Sequence, residues 1–360
     1  MKLTRLTLTN YKNIDAASYT FDAAIVCFIG KNGVGKSNLL DAIYHLCFGK
    51  GYFNPSAAQN IRFGEDFFLL EGTFQGTDAA EEKVVCSLKK GHKKTLKRNG
   101  KVYAKLADHI GRFPLVMISP TDRDLIVEGS STRRKFMDGI MGQTDSAYLT
   151  ALLQYNKLIA QRNALLKYFA ANRTFEKESL EIYDEPLVPL AHEIHEKRKG
   201  FITDFVPIFQ RHYESISSGT EQVTLDYISP LETGNFGELL AATLHKDRVL
   251  QYTSVGPHKE DLDFLIHDHP IKKFGSQGQQ KTFLIALKLA QFDFIKQKLG
   301  VPPIMLFDDV FDKLDQERVA FIMQLVEREH FGQLFLSDTH QERTLNALKT
   351  TQLDYTIFEL

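Results

Sequence analysis

The chain has 360 residues, 43% of them hydrophobic and 25% charged, with a formal net charge of −1. Such a composition is that of a soluble globular protein, and the near-neutral balance leaves any polyanion surface to local clusters of bases. The length allows two domains, or one large domain carrying an insertion.

The opening Met1–Thr9 alternates as a strand does and lacks the apolar core of a signal peptide. No run approaches the roughly 18 apolar residues of a membrane span, so no membrane partner is expected. Cys27, Cys47 and Cys86 are odd in number and form no C-x-x-C. They argue against a disulfide framework or a zinc site and for a reducing, cytoplasmic setting.

Ile25–Ile29 is a short apolar run suited to a buried strand, and Gly30-Lys31-Asn32-Gly33-Val34-Gly35-Lys36-Ser37 follows it. After the octet, Asn38 leads into a helix with Leu39, Leu40, Ile43 and Leu46 at helical spacing. Strand, G-x-x-x-x-G-K-S loop and helix together predict a phosphate-binding loop for a nucleoside triphosphate. The glycines let successive backbone N–H groups turn toward phosphates, and the helix N-terminus adds to that field. Lys36 supplies a point charge to the phosphates, and the Ser37 hydroxyl is placed to ligate Mg²⁺.

Residues 62–113 read as antiparallel strands over Phe67–Phe74, Lys83–Lys89, Thr95–Arg98 and Lys101–Lys105, with Asn99-Gly100 as a hairpin turn. This segment carries Lys89, Lys90, Lys93, Lys94, Lys97, Arg98 and Lys101 with no acid among them. The cluster is either a phosphate-contacting DNA surface or an ordinary solvated hairpin. Leu115–Ile118 is a further strand, and Asp122 beyond it stands where a Q-loop glutamine is sought. From Ser131 to Tyr213 the pattern turns helical, with Pro186 and Pro189 separating a helix over Leu190–Tyr213, itself interrupted near Pro207. Arg133 and Arg134 near its start oppose the helix dipole and are a second DNA candidate.

Farther on, Pro303-Ile-Met-Leu-Phe-Asp-Asp309 is an apolar strand ending in two carboxylates. Asp308 can reach the Mg²⁺ held by Ser37, and Asp309 is either a general base for water or a turn residue. Ser276-Gln277-Gly278-Gln279 resembles an ABC-type signature opening a helix, which in that class caps the γ-phosphate held by a second subunit. Asp312, Leu314 and Asp315 resemble its D-loop, and His340, after the strand from Gln333, resembles its switch histidine, with Asp338 as rival.

Several anchors resemble the RecF family of bacterial recombination mediators, whose heads are of the ABC/SMC type. They are Tyr11-Lys-Asn13, Ile118-Ser-Pro-Thr-Asp122, Arg133-Arg-Lys-Phe-Met-Asp138, Val255-Gly-Pro-His-Lys-Glu-Asp261 and Ser276-Gln-Gly-Gln-Gln-Lys281. Lys259 and Lys281 stand where that family has arginine, keeping charge but not the planar fork. The expectation is an α/β ABC/SMC-like P-loop ATPase head with mixed sheets, residues 1–118 and 253–360, with a mainly helical insertion at 119–252. The resemblance implies a weak, Mg²⁺-dependent ATPase that forms an ATP-dependent homodimer. It further implies binding at DNA gaps and single-/double-strand junctions, with RecR and RecO as partners and RecA loading as the outcome. The alternative is another ABC/SMC-type ATPase acting mainly as a DNA-bound scaffold or switch. A transporter subunit would need a membrane-coupling helix and a clear Q-loop glutamine, and a nuclease an additional metal cluster; neither signal is present.

Overall fold

A computed structural model describes residues 1–54, 56–76, 80–217, 221–309, 327 and 331–360. The chain opens with β1 (Lys2–Tyr11), β2 (Ile14–Thr20), β3 (Ile25–Ile29), α1 (Lys36–Phe48), β4 (Phe67–Gln75) and β5 (Glu81–Lys89). Next come β6 (Thr95–Arg98), β7 (Lys101–Val102), β8 (Leu115–Ile118), α2 (Ser130–Thr144), α3 (Ser146–Asn172) and α4 (Lys177–Ser217). Then follow β9 (Val223–Ile228), α5 (Phe236–Leu250), β10 (Asp261–Ile266), β11 (His269–Pro270) and α6 (Gln277–Leu299). The described elements close with β12 (Ile304–Asp308), β13 (Gln333–Asp338), α7 (Gln341–Leu348) and β14 (Tyr355–Glu359).

These elements fall into two compact units, Met1–Asp122 with Lys288–Leu360, and Arg123–Leu287. The second unit runs past the expected limit at 252 because β10 pairs antiparallel with β9, from Asp261↔Ile228 to Ile266↔Val223. The boundary between the units falls within α6.

The first unit holds a parallel sheet in the order β14-β3-β13-β12-β8 and an antiparallel sheet in the order β2-β1-β4-β5-β6-β7. Every residue of β3, β8, β12 and β13 is buried, as continuous apolar runs in a parallel sheet require. In β4 and β5 burial alternates with period two, marking one covered face. Helix α1 packs against both sheets. Leu39, Leu40, Ile43 and Leu46 share one core with Leu6, Leu70 and Val84 of the antiparallel sheet and Phe28, Leu306 and Phe335 of the parallel one. Gly72 permits that approach, since a Cβ there would lie 2.8 Å from Leu46 Cδ1. The Asn99-Gly100 turn joins Arg98 to Lys101 with both φ angles positive (47° and 78°), the geometry of a tight hairpin.

In the second unit the expected helix over Leu190–Tyr213 is part of a longer one. Helix α4 runs unbroken from Lys177 to Ser217 through Pro186, Pro189 and Pro207. All three prolines are exposed. At about 100° per residue they lie within roughly 60° of one another around the axis, so the carbonyls they orphan face water. The opposite stripe, including Leu187, Ala191, Ile194, Phe201, Phe205 and Ile208, is buried and holds the helix together. Buried polar groups supply specific fasteners. Arg162 donates to Asp184 (2.6 Å), Asp247 (2.8 Å) and Thr253 (3.0 Å). Arg198 donates to Asp138, Glu260, Tyr148 Oη and the Pro257 carbonyl.

Three histidines, His45 and His109 buried and His258 half-buried, are held neutral. Burial pushes His45, His109 and His258 down to about 4, outweighing the upward pull of the Asp41 carboxylate on His45, of the Leu46 carbonyl on His109 and of the Thr253 carbonyl on His258. Their unfolded values lie near 6.5, so the unfolded chain binds more protons between the two limits. Stability is therefore expected to hold above about pH 6.5 and to fall steadily toward pH 4. Urea unfolding across that range checks this, and a flat profile would show that the three rings titrate in the folded chain.

Candidate phosphate-binding site

The sequence motifs of the first unit meet at the carboxyl ends of its parallel strands, where ligands of open α/β sheets bind. Beyond β3 the loop Gly30–Ser37 curls back before α1, with φ of 85° at Gly33 and 117° at Gly35. Gly30 answers a different demand, because a Cβ there would lie 2.8 Å from the Leu360 carbonyl oxygen. Lys31, Asn32, Gly33 and Val34 form the exposed apex, and Asn38 is half-buried in the first turn of α1. Lys36 is 4% exposed and folds over the loop, donating to the carbonyls of Gly30 (2.8 Å) and Lys31 (3.1 Å).

Asp308 closes β12 beside this loop. Its Oδ1 accepts from Ser37 Oγ and from Ser337 Oγ, both at 2.7 Å. Ser37 and Asp308 lie far apart in sequence, and the parallel order β3-β13-β12 brings them together. Asp309 follows with φ of 48°, a strained value for a non-glycine residue, and its N–H donates to Ser337 Oγ (3.1 Å) and to the Ser337 carbonyl (3.3 Å).

The end of β13 is equally well defined. Asp338 accepts from the N–H groups of Thr339 and His340, from Arg343 and from Thr344 Oγ1, so this buried carboxylate is engaged in fastening α7. His340 lies exposed at the N-cap of α7. Asp122 is likewise engaged, accepting from the Ser119 N–H (2.7 Å) and Tyr52 Oη (3.0 Å) and pairing with Lys288 (2.7 Å). The candidate D-loop residues Asp312, Leu314 and Asp315 lie outside the described residues.

Two groups near the loop escaped the motif reading. Asn13, in the turn from β1 to β2, donates to the Gly33 carbonyl (3.1 Å) and accepts from Asn38 Nδ2 (2.7 Å), clipping the apex of the loop to the first turn of α1. Asp41, one turn beyond Ser37, pairs with Lys12 and accepts from Tyr11 Oη (2.9 Å) and the Tyr52 N–H (2.5 Å). Both lie in family-like stretches, Tyr11-Lys-Asn13 and Asn38-Leu-Leu-Asp-Ala-Ile-Tyr44, that gave neither residue a role.

In the second unit, Ser276 and Gln279 form a capping box at the start of α6. Gln279 N–H donates to Ser276 Oγ (3.2 Å) and Ser276 N–H to Gln279 Oε1 (2.7 Å), while Gln279 Nε2 donates to Glu221 (2.6 Å). Gln277 and Gly278 fall in the first turn of that helix. Arg133 makes a two-pronged contact with Asp261 (2.8 Å each) and Arg134 donates to the Glu260 carbonyl, so both have partners within their own unit. Asp261 is what offsets the unfavourable base at the start of α2. The basic hairpin also divides. Lys94 turns inward to the Gly49 carbonyl, Arg98 pairs with Glu82 and Lys90 with Asp66 (3.4 Å). Lys89, Lys93, Lys97 and Lys101 remain exposed.

Residues 2–356 match the family model of the RecF/RecN/SMC N-terminal domain. The chain is similar to the DNA replication and repair protein RecF of Flavobacterium johnsoniae, 59% identical with 100% of both chains covered. To the protein of the same name from Bacteroides fragilis it is 44% identical, over 100% of this chain and 96% of that one. Among solved structures, the recombination mediator protein RecF with ATP in the RecFOR pathway superposes with a TM-score of 0.90 at 28% identity, covering 99% of this chain and 95% of that one. An Smc head bound to the C-terminal winged-helix domain of ScpA matches with a TM-score of 0.57 at 15% identity, over 96% and 91% of the two chains. That more distant likeness is one of fold, and it agrees with the ABC/SMC-type head expected from the motifs. A family model spanning nearly every residue and full-length relatives at these identities lead to one conclusion: the chain belongs to the RecF family of DNA replication and repair proteins.

Proposed function

We propose that the chain is an ATP-dependent DNA-binding protein of recombinational repair that hydrolyses ATP slowly and acts with RecO and RecR. One observation carries the reading: Lys36, Ser37, Asp308 and Asp309 gather at the strand ends of a fold shared along its length with an ATP-bound recombination mediator.

The residues present suit ATP and Mg²⁺. The loop has open space at Gly33, where an added Cβ would meet nothing within 4 Å, and a lysine held, among the described residues, by carbonyls that a phosphate can replace. The Ser37 hydroxyl and Asp308 carboxylate are hard oxygen donors already in contact, fitting a small divalent cation. Mg²⁺, when bound, neutralises charge on the phosphate oxygens. Lys36 then turns from the carbonyls to the β- and γ-phosphates. Ser337 keeps Asp308 oriented, and Asn13 holds the loop in register. Asp309 serves as the base for the attacking water, with His340 at the γ-phosphate end. Ser276, Gln277, Gly278 and Gln279 face the P-loop of a second copy, and Asp312, Leu314 and Asp315 cross the interface of this head-to-tail homodimer.

Exposed Lys89, Lys93, Lys97 and Lys101 are the preferred contacts to DNA phosphates at gaps and junctions. Assistance in loading RecA is the proposed output, in the cytoplasm at the nucleoid.

Lys36→Ala is expected to abolish ATP binding and ATP-dependent dimerisation. Equilibrium binding checks this, and unchanged affinity would remove the P-loop assignment. Asp309→Asn keeps the shape but cannot take the proton, so turnover should fall by about 10²–10⁴ while ATP still binds. A loss of less than about tenfold would leave Asp309 as a turn residue. Ser276→Arg should bind ATP as a monomer and neither dimerise nor turn over. Mixed with Lys36→Ala it should regain part of the activity, because each hybrid pair keeps one intact composite site. A Ser276→Arg chain that dimerises normally in sedimentation with ATP would refute the shared site.

A further inference from the structure

The signature segment of the second unit carries a bond that its own four residues leave undecided. Ser276 Oγ accepts from the Gln279 N–H (3.2 Å), which leaves its own proton for another acceptor. The Ser276 N–H is taken by Gln279 Oε1 (2.7 Å). That second bond depends on which way the Gln279 amide faces. A carboxamide has an acceptor at one corner and donors at the other, with nearly the same shape. Turned over, it would set its NH₂ group against the Ser276 N–H, donor against donor, and the box would open.

Glu221 decides the orientation. Its Oε1 accepts from Gln279 Nε2 (2.6 Å). A carboxylate only accepts, so it admits the amide nitrogen and refuses the oxygen. Glu221 is held in turn, because its Oε2 accepts from Tyr213 Oη. Tyr213 is buried in α4, with its ring against Phe209 and against Phe283 of α6, the helix that the signature opens. Close by, Gln210 Nε2 of α4 donates to the Val223 carbonyl (2.8 Å) and pins the start of β9. All these residues lie within the second unit. A capping box closes with two residues, so an anchored carboxylate on its far side is an addition that capping alone does not require.

We propose that Glu221 is a positioning residue of the composite ATP site. It holds the Gln279 amide, and through it Ser276, in the form that meets the γ-phosphate bound by a second copy. This role rests on the shared-site reading above and acts through Gln279, without contact between Glu221 and the nucleotide.

The test uses the full chain, with ATP binding, sedimentation with ATP and steady-state turnover as readouts. Glu221→Ala should bind ATP at its own P-loop as the parent does. Its ATP-dependent dimerisation and its turnover should each fall about tenfold, the scale of one lost charge-assisted hydrogen bond. Gln279→Glu sets two carboxylates face to face and should be impaired as well. Adding Glu221→Gln to it restores a donor opposite an acceptor, and the pair should recover about fivefold or more over Gln279→Glu alone. Thermal unfolding separates this from a merely structural role, which would lower the melting temperature and leave dimerisation of the folded chain unmoved. Should Glu221→Ala not fold, the comparison of Gln279→Glu with and without Glu221→Gln decides alone. A Glu221→Ala chain that dimerises as the parent does, one that loses ATP binding itself, or a double variant no better than Gln279→Glu overturns the role of Glu221. If Ser276→Arg still fails to dimerise, the shared site survives that result. If Ser276→Arg dimerises normally, the shared site is refuted and the role of Glu221 falls with it.

Discussion

Much of the first unit depends on the burial of α1 between two sheets. A helix covered on one side can tilt on its support. This one is packed by Leu6, Leu70 and Val84 on one side and by Phe28, Leu306 and Phe335 on the other, and so has little freedom to shift. The loop before it inherits that rigidity. Lys36 and Ser37 belong to the first turn of α1, and their positions relative to Asp308 follow from how both sheets grip the helix. The polar contacts on α1 act in the same direction. Asp41 ties the helix to β1 through Tyr11 and Lys12, and Asn13 ties the loop to the same hairpin. An antiparallel sheet that contributes no nucleotide motif thereby sets the geometry of the loop.

What sequence made legible here follows the range of the interactions involved. The phosphate loop could be read because its chemistry is confined to eight adjacent residues and a known flanking context. Strands β3, β8, β12 and β13 could be read because burial on both faces demands unbroken apolar runs, whereas the half-exposed edge strand β14 has no such run and was not read. Asp308 was legible because a carboxylate ending such a run has few other reasons to be there. Partners distant in sequence were not legible. Nothing near Arg133 foretells Asp261, nothing in the basic hairpin foretells Glu82 or Asp66, and Ser337 is an ordinary serine until β13 lies beside β12. Arg133 read alone was therefore a free base, whereas in the fold it is one half of an ion pair.

The prolines of α4 show a local rule yielding to a longer pattern. Pro186, Pro189 and Pro207 each mark a break when read by propensity, and each costs a backbone hydrogen bond. All three sit on the exposed face, so the loss falls where water can compensate, while the buried stripe runs on through them. Reading the angular position of a proline along with its identity would have joined the two predicted pieces.

The parallel sheet also carries a consequence for how the chain acquires its structure. Strand β3, which launches the phosphate loop, lies between β13 and β14, paired through Leu334↔Ile25 and Tyr355↔Ile25. Both neighbours come from the far end of the described chain. During synthesis β3 therefore leaves the ribosome long before either strand that will flank it, with both hydrogen-bonding edges unsatisfied. The antiparallel sheet, made of near neighbours in sequence, can form early and receive α1 on its apolar face. Formation of the phosphate site is thus deferred until nearly all of the chain is available, and a nascent or truncated chain lacking β13 and β14 has its loop sequence without the sheet that shapes it.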